Sequence, residues 1–353
     1  MKAICLLSGG LDSTLTARVM LDQGIDLAAL NCVSVFCTCT PKTASCSAAA
    51  TAVSQLGIPL KVVNTNEGFL RIVKNPKHGY GRNMNPCLDC RIMMFRGAAE
   101  YMREIGASFI VTGEVLGERP MSQRRHAMRL IEREAGVEGL IVRPLSARLL
   151  EPSIPETEGW IDREKLLAIE GRCRQPQIKL ADDYGLKDYP CPAGGCLLTD
   201  RVFGLRIRDL LDHDGDLQLN DVLLLKTGRH FRLSPSAKAV VGRNEEENRR
   251  LEALVRPGDV TLAATDVNGP LAVVRGRADD EALRTAAQIT VRYGQGRDLA
   301  EVSVTASTVD SGSARTFTVP PADEAILDGL RIGQGALRTP CRTSANCDDA
   351  SEE

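Results

Sequence analysis

The sequence predicts an α/β protein, a doubly wound parallel sheet followed by a smaller β-rich α+β domain. Three observations carry this. Lys2–Leu7 is a short apolar run of buried-strand type, followed by a glycine turn at Ser8–Thr14 and by helical spacing over Leu15–Gln23 that ends at Gly24. Strand-type and helix-type segments then alternate to about residue 145, as a parallel sheet covered on both faces requires. From about residue 215 the pattern changes to short β-type runs broken by turns.

Each element follows from its residues. Leu27–Val35 reads as a second strand, Ala48–Leu56 as a helix closed by Gly57, and Leu60–Val63 as a third strand. The glycine- and asparagine-rich stretch Asn75–Pro86 reads as a functional loop leading into a helix from Cys87 through Ile105. Phe109–Thr112 is a further strand, Ser122 is placed to cap the helix carrying Arg124, Arg125 and Arg129, and Leu140–Leu145 is the last strand. Arg163–Ile169 and Gln177–Tyr184 read as helices, and Thr199 or Asp200 as the cap of a helix running to Leu211. In the second domain, Val222–Lys226, Phe231–Leu233, Ala239–Val241, Val260–Ala263, Leu271–Val274 and Glu301–Ala306 read as strands. Helices are expected at Glu245–Leu254 and Asp280–Arg292.

The 353 residues allow two or three domains with real cores. The expected division is a catalytic domain over 1–200, a small domain over 201–335 and a polar, acidic, disordered tail over 336–353. A net charge of −2 excludes a global field that would draw nucleic acid or a membrane surface, so an RNA site must be a local basic patch. Arg229, His230, Arg232, Lys238, Arg243, Arg249 and Arg250 would supply one, partly offset by Glu245–Glu247. No run of eighteen apolar residues predicts a membrane span, and no signal-peptide pattern opens the chain, so the expected location is cytoplasmic. Twelve cysteines in a reducing compartment read as metal-binding or catalytic groups more than as disulfides.

Two constellations carry chemistry. At Ser8-Gly9-Gly10-Leu11-Asp12-Ser13-Thr14, the glycines let the backbone turn tightly, the helix amides that follow point at a ligand, and three hydroxyls add donors. This is an anion site, and without a lysine after the glycines it is not the kinase-type phosphate loop. The second constellation is Cys87-x-x-Cys90 with Cys196 from a distant glycine turn, a set able to hold three irons of a [4Fe–4S] cluster. Three other readings stay open: a structural zinc site with Cys191 as fourth ligand, a persulfide pair of Cys90 and Cys196, and simple packing. Cys37, Cys39 and Cys46 suggest no mechanism and read as incidental.

Ser8–Thr14 resembles the PP-loop of ATP pyrophosphatases, which cleave ATP between its α and β phosphates. Cys87–Arg96 resembles the cysteine-containing helix start of tRNA 4-thiouridine synthases. Thr112–Glu118 with Ser122-Gln123 is similar to their second nucleotide motif, and Gly195-Cys196 stands where that family has its catalytic cysteine. The resemblance covers about residues 1–200, with the motifs in the family's order. It implies ATP-dependent thiolation of a tRNA uridine: adenylation of a base carbonyl, pyrophosphate release and sulfur insertion. ATP would lie on Ser8, Gly9, Gly10, Asp12, Ser13 and Thr14 with Gly113 and Glu114, and Mg2+ would bridge phosphate oxygens. Asp12, Cys90 and Cys196 are the expected catalytic residues. Arg119, Arg124 and Arg125 would contact phosphates or RNA, or form a solvated basic face.

The expected partners are tRNA and a sulfur donor, either a protein persulfide or sulfide, with a homodimer as a further expectation and no membrane. No THUMP region precedes the loop and no rhodanese-like pattern is seen, so tRNA capture and sulfur supply would differ from many synthases. Leu223–Asn248, with Gly228-Arg229-His230-Phe231 and Val241-Gly242-Arg243-Asn244, resembles the RNA-binding module of NFACT-type proteins. Two other classes remain: a PP-loop ligase or amidase acting on a small acid, and a non-catalytic ATP- and RNA-binding protein.

Overall fold

The computed structural model describes residues 1–37, 45–186, 189, 196–310 and 312–333, with the side chains of 45–47 left aside. The tail expected over 336–353 lies outside them. The chain divides into two units, Met1–Leu197 and a second beginning at Leu198.

The first unit contains β1 (Lys2–Leu6), α1 (Leu11–Leu21), β2 (Asp26–Val33), α2 (Ser45–Leu56), β3 (Leu60–Asn64), α3 (Asn66–Lys74), α4 (Cys87–Glu104), β4 (Phe109–Thr112), α5 (Arg125–Ala135), β5 (Ile141–Val142), α6 (Ile154–Thr157) and α7 (Gln175–Asp183). The strands form a parallel sheet in the order β3-β2-β1-β4-β5. Alternate residues of a strand face opposite sides. Thus Ala3 and Cys5 join one core with Leu27, Ala29, Phe109 and Val111, while Ile4 and Leu6 join the other with Ala28, Leu30, Phe95 and Ile110. A strand buried on both faces needs the unbroken apolar run that β1 has. Strand order reverses at β1, which lies between β2 and β4, and the crevice beyond the carboxyl ends of β1 and β4 is where such sheets bind ligands.

Several local expectations are corrected. The last strand is two residues long because Pro144 has no amide to extend the ladder. Arg163–Lys165 is a single 3-10 turn capped by Asp162, and the backbone beyond it is extended, with Leu167 and Ile169 donating to the Pro144 and Leu145 carbonyls at 2.8 Å. Ser122 is buried and does not cap α5, whose N-cap position is Arg124. The unexpected helix α3 buries Phe69 and Val73.

The second unit contains α8 (Arg201–Asp214), α9 (Leu219–Leu225), β6 (Arg229–Ser234), β7 (Ala237–Val241), α10 (Glu245–Leu254), β8 (Val260–Ala264), β9 (Ala272–Gly276), α11 (Asp280–Arg292), β10 (Val302–Thr308), β11 (Ala314–Val319) and α12 (Glu324–Leu330). Its six strands form an antiparallel sheet, β11-β10-β8-β9-β7-β6. Leu283, Ala286, Ala287 and Ile289 of α11 pack on one face with Ala239, Val241 and Val274. Val240 and Val273 point to the other face, against Leu224 and Leu251. Val222–Lys226, read above as a strand, belongs to helix α9, because Gln218 and Asp221 form a reciprocal capping box that starts a helix there. Asp200 caps α8 by accepting from the Phe203 amide at 2.8 Å.

Candidate active site

The glycine turn follows β1 at the switch point. Gly9 has φ +79°, a conformation that L side chains rarely adopt, and a Cβ there would lie 2.4 Å from the Ala48 carbonyl carbon of α2. Helix α1 begins beyond Gly10 with no side-chain cap, so its first-turn amides face the crevice. The hydroxyls shape the turn: Ser13 Oγ donates to the Gly10 carbonyl at 2.9 Å and Thr14 Oγ1 at 3.0 Å, while Ser8 Oγ accepts from the Gly10 amide at 3.3 Å. Gly113, at the end of β4, closes against this turn, since a Cβ on it would lie 2.7 Å from both the Asp12 carbonyl carbon and the Ser13 nitrogen. The two nucleotide motifs read from the sequence therefore touch through their backbones.

Charge is arranged around Asp12. Arg174 pairs with it at 3.0 Å, and the other carboxylate oxygen, Oδ1, is buried without a hydrogen-bond partner among the described residues. Burial raises the Asp12 pKa, against Arg174 and Arg119, which lower it. Burial also raises Glu118, with the Asp12 charge adding to it. Two carboxylates that disfavour one another, one with an orphaned oxygen, suit Mg2+, which takes one or two carboxylates and completes its shell with phosphate and water.

Glu114 is turned inward instead. It pairs with Arg143 at 3.0 Å and with Arg91 at 3.4 Å, and Arg143 also pairs with Glu132. Burial would lower the Arg143 pKa, but the Glu114 and Glu132 carboxylates outweigh it and raise it. Glu114 thus positions Arg91 and does not itself present a carboxylate to the crevice. Arg119 lies close enough to act on Asp12, while Arg124 is exposed and donates to the Pro120 carbonyl at 3.0 Å.

Thiols gather at the same carboxyl edge of the sheet. Cys87 and Cys90 stand one turn apart at the start of α4, and Asn85 Nδ2 donates to Cys87 Sγ at 2.9 Å. Burial pushes the Cys90 thiol up to about 12; Arg91 opposes this, and Cys87, Cys37 and Cys32 add to it. Burial likewise pushes Cys32 up to about 11, with Arg91 lowering and Cys37 raising it. Cys196 and Cys37 face one another in an isolated antiparallel bridge. Cys37, read above as incidental, is therefore part of the thiol group, as is Cys32. Cys39 and Cys191 lie outside the described residues, as does the side chain of Cys46. The soft donors suit an iron–sulfur cluster, yet no three or more His, Cys, Asp or Glu among the described residues form a group ready to hold a metal ion.

Residues 1–148 match the family described as thiamine biosynthesis protein (ThiI). The match covers less than half of the chain and lies within the amino-terminal unit. The chain is similar to tRNA-specific 2-thiouridylase MnmA of Acidithiobacillus ferrooxidans, 31% identical over 121 residues, 32% of this chain and 33% of that one. It is also similar to the MnmA of Deinococcus radiodurans, 26% identical over 124 residues, 32% of each chain. The match thus spans about a third of the length of these curated relatives. Solved structures similar in part include a 4-thiouridine synthetase–RNA complex with bound ATP, at 26% identity, TM-score 0.34, covering 41% of this chain and 37% of that one. Another is the U34-tRNA thiolase NcsA from Methanococcus maripaludis with its [4Fe-4S] cluster, at 20% identity, TM-score 0.33, covering 64% and 70%. Residues 228–329 match the NFACT protein RNA binding domain.

In that second unit, the expected basic patch is largely neutralised. Arg243, Arg249 and Arg250 pair with Glu247, Glu245 and Glu246 at 3.0, 2.9 and 2.7 Å. Arg232 and Lys238 pair with Asp209 at 2.6 and 3.3 Å. His230 is buried, with Nε2 against the Thr227 carbonyl at 2.8 Å, and burial lowers its pKa well below the usual value. Arg229 stacks over the Tyr293 ring at 4.2 Å. No helix among the described residues is long and apolar enough to cross a membrane.

Arg174 and Arg143 are site residues that the sequence reading missed; Cys37 was read as incidental, and Glu118 was named only as the end of the second nucleotide motif. Their motifs are ordinary, and only the closing of distant segments brings them to the crevice.

Proposed function

We propose that this chain thiolates a uridine of tRNA at the expense of ATP. The observation that carries the reading is the contact of Gly113 with the Asp12–Ser13 backbone across the switch point, with thiols on the same sheet edge. A triphosphate lies on the amides of the Ser8–Thr14 turn and the start of α1. Asp12 and Glu118 would hold Mg2+, which when bound offsets phosphate charge. Arg119 and Arg174 balance the remaining charge. A uridine carbonyl oxygen takes up AMP as pyrophosphate departs, which makes it a leaving group. Sulfur carried as a persulfide on Cys196 then displaces AMP. The match over 228–329 supports capture of tRNA by the second unit, and the work takes place in the cytoplasm.

Burial pushes the Cys90 thiol up to about 12, which disfavours the thiolate that a nucleophile needs. Its proximity to other thiols favours a second reading, in which Cys87, Cys90 and Cys196 hold a [4Fe–4S] cluster that presents the sulfur when bound. Iron and acid-labile sulfide assays on anaerobically purified protein separate the two.

The test of the function is to supply ATP, Mg2+, a tRNA transcript and a small-molecule persulfide. AMP and pyrophosphate should appear only with tRNA, and mass spectrometry of the digested RNA should find a thionucleoside. AMP formation independent of tRNA would point to a ligase acting on a small substrate instead.

A further inference from the structure

Between Leu167 and Arg174 the backbone runs as a strap across the carboxyl edge of the parallel sheet. Leu167 and Ile169 donate to the Pro144 and Leu145 carbonyls beyond β5, each at 2.8 Å. Gly171 then donates to the Leu116 carbonyl beyond β4 at 2.7 Å, and Leu116 and Glu170 form a parallel bridge. The strap ends at Arg174, which pairs with Asp12 beyond β1 at 3.0 Å. One side chain joins these segments. Ser146 is fully buried, and its Oγ accepts from the Leu116 amide at 2.9 Å and donates to the Ile169 carbonyl at 2.6 Å. An amide N–H can only donate and a carbonyl can only accept, so the direction of both bonds is fixed and both need the hydroxyl. Ser146 therefore ties the segment carrying Glu118 and Arg119 to the strap carrying Arg174, the groups whose charges meet at Asp12.

We propose that Ser146 is a positioning residue for nucleotide activation, holding Arg174 on Asp12 by pinning the strap to the Leu116 backbone. The role rests on the ATP-dependent reading above. Ser146 is enclosed by the fold and acts only through what it places. Removing its hydroxyl leaves a donor on Leu116 and an acceptor on Ile169 without their partner in the core, a state that buried backbone avoids. The strap then shifts to satisfy them, and Arg174, at its far end, loses its place on Asp12. Burial pulls the Asp12 carboxyl towards the neutral form and Arg174 opposes this, so the displaced guanidinium leaves Asp12 harder to ionise. Ser146 itself carries no charge, so a change in that ionisation when it is replaced comes through the groups it positions.

The test is a double-mutant cycle on the full chain, Ser146→Ala with Arg174→Ala, read by calorimetric titration with Mg2+ and a non-hydrolysable ATP analogue across the acid to neutral range. Ser146→Ala should weaken the analogue roughly tenfold, the scale of one lost hydrogen bond, and move the acidic limb of binding to higher pH. In the Arg174→Ala background the same change should add less than about twofold. Ser146→Cys keeps the volume but weakens both bonds, and it carries the cycle if the alanine variant does not fold. An equal loss in both backgrounds makes Ser146 a general support of the fold and overturns the proposal. A lowered melting temperature with unmoved affinity and limb does the same. Assaying thionucleoside alongside keeps the two readings apart. A coupled cycle with no thionucleoside under any condition leaves Ser146 its role and overturns the thiolation reading. A wild-type chain that binds no nucleotide overturns both, and thionucleoside production with an additive cycle overturns the role of Ser146 alone.

Discussion

Arg174 holds the Asp12 carboxylate at 3.0 Å, although the two lie 162 residues apart in the chain. Burial pulls the Asp12 pKa up and Arg174 pulls it down, so the ionised carboxylate in the crevice depends on this guanidinium. Removing it by Arg174→Ala leaves burial opposed only by Arg119 and a backbone hydrogen bond. The acidic limb of the pH profile for tRNA-dependent AMP formation should then move to higher pH, with the largest loss of rate on the acid side. An unmoved limb would separate Arg174 from the ionisation of Asp12.

Gly113→Ala places a methyl group against the Asp12–Ser13 backbone at 2.7 Å. Backbone cannot swing aside as a side chain can, so the turn must open or β4 must shift. Overpacking of this kind costs about 1–3 kcal/mol, but the loss of nucleotide binding should exceed what the change in melting temperature implies. Isothermal titration with a non-hydrolysable ATP analogue, set beside thermal denaturation, measures both.

The Glu114–Arg143–Glu132 group is largely buried, and removing its cation leaves Glu132 without this ion pair and Glu114 with only the longer Arg91 contact. Arg143→Met should destabilise the first unit by about 3–5 kcal/mol. The loss should be partly recovered by adding Glu114→Gln. Urea denaturation of the single and double variants reports the coupling, and additive effects would count against a connected group.

Lys238 is buried beside Asp209, and burial lowers its pKa to about 8. The unfolded chain holds this proton up to its ordinary value near 10.4, so from about pH 8 upward the unfolded state binds more protons than the fold. Stability from this group therefore rises with pH across that window and is lost as pH falls through it. Lys238→Met should flatten the rise, with Arg232 still pairing Asp209. Calorimetric scans at pH 8 and pH 10 read the difference, and parallel profiles for both proteins would contradict it.

How much of this could be read from residues alone varied with the range of the interaction. The strand, glycine turn and first helix are legible because an apolar run, two glycines and a helical period are all local. Glu245–Leu254 and Asp280–Arg292 agree residue for residue with the helices observed, their starts fixed by the Asn244 and Asp279 caps. Val222–Lys226 misled because an apolar pentapeptide suits strand and helix equally, and the capping side chains lie outside it. At the site, Gly113 was found through its motif, but Arg174 and Cys37 depend on which distant segments close on one another, and no local pattern encodes that. The charge of the second unit misled for a related reason: arginines were visible in the sequence, but their carboxylate partners were not all adjacent, Asp209 least of all.

Arg91 answers to two neighbourhoods at once: it contacts Glu114 at 3.4 Å and lowers the pKa of both Cys90 and Cys32. One cation serving both sides means that neither can be retuned in isolation. A substitution that alters the electrostatics around the cysteines would therefore also shift the balance of the buried Glu114–Arg143–Glu132 group, and a compensating change would fall at Glu114 or Arg143.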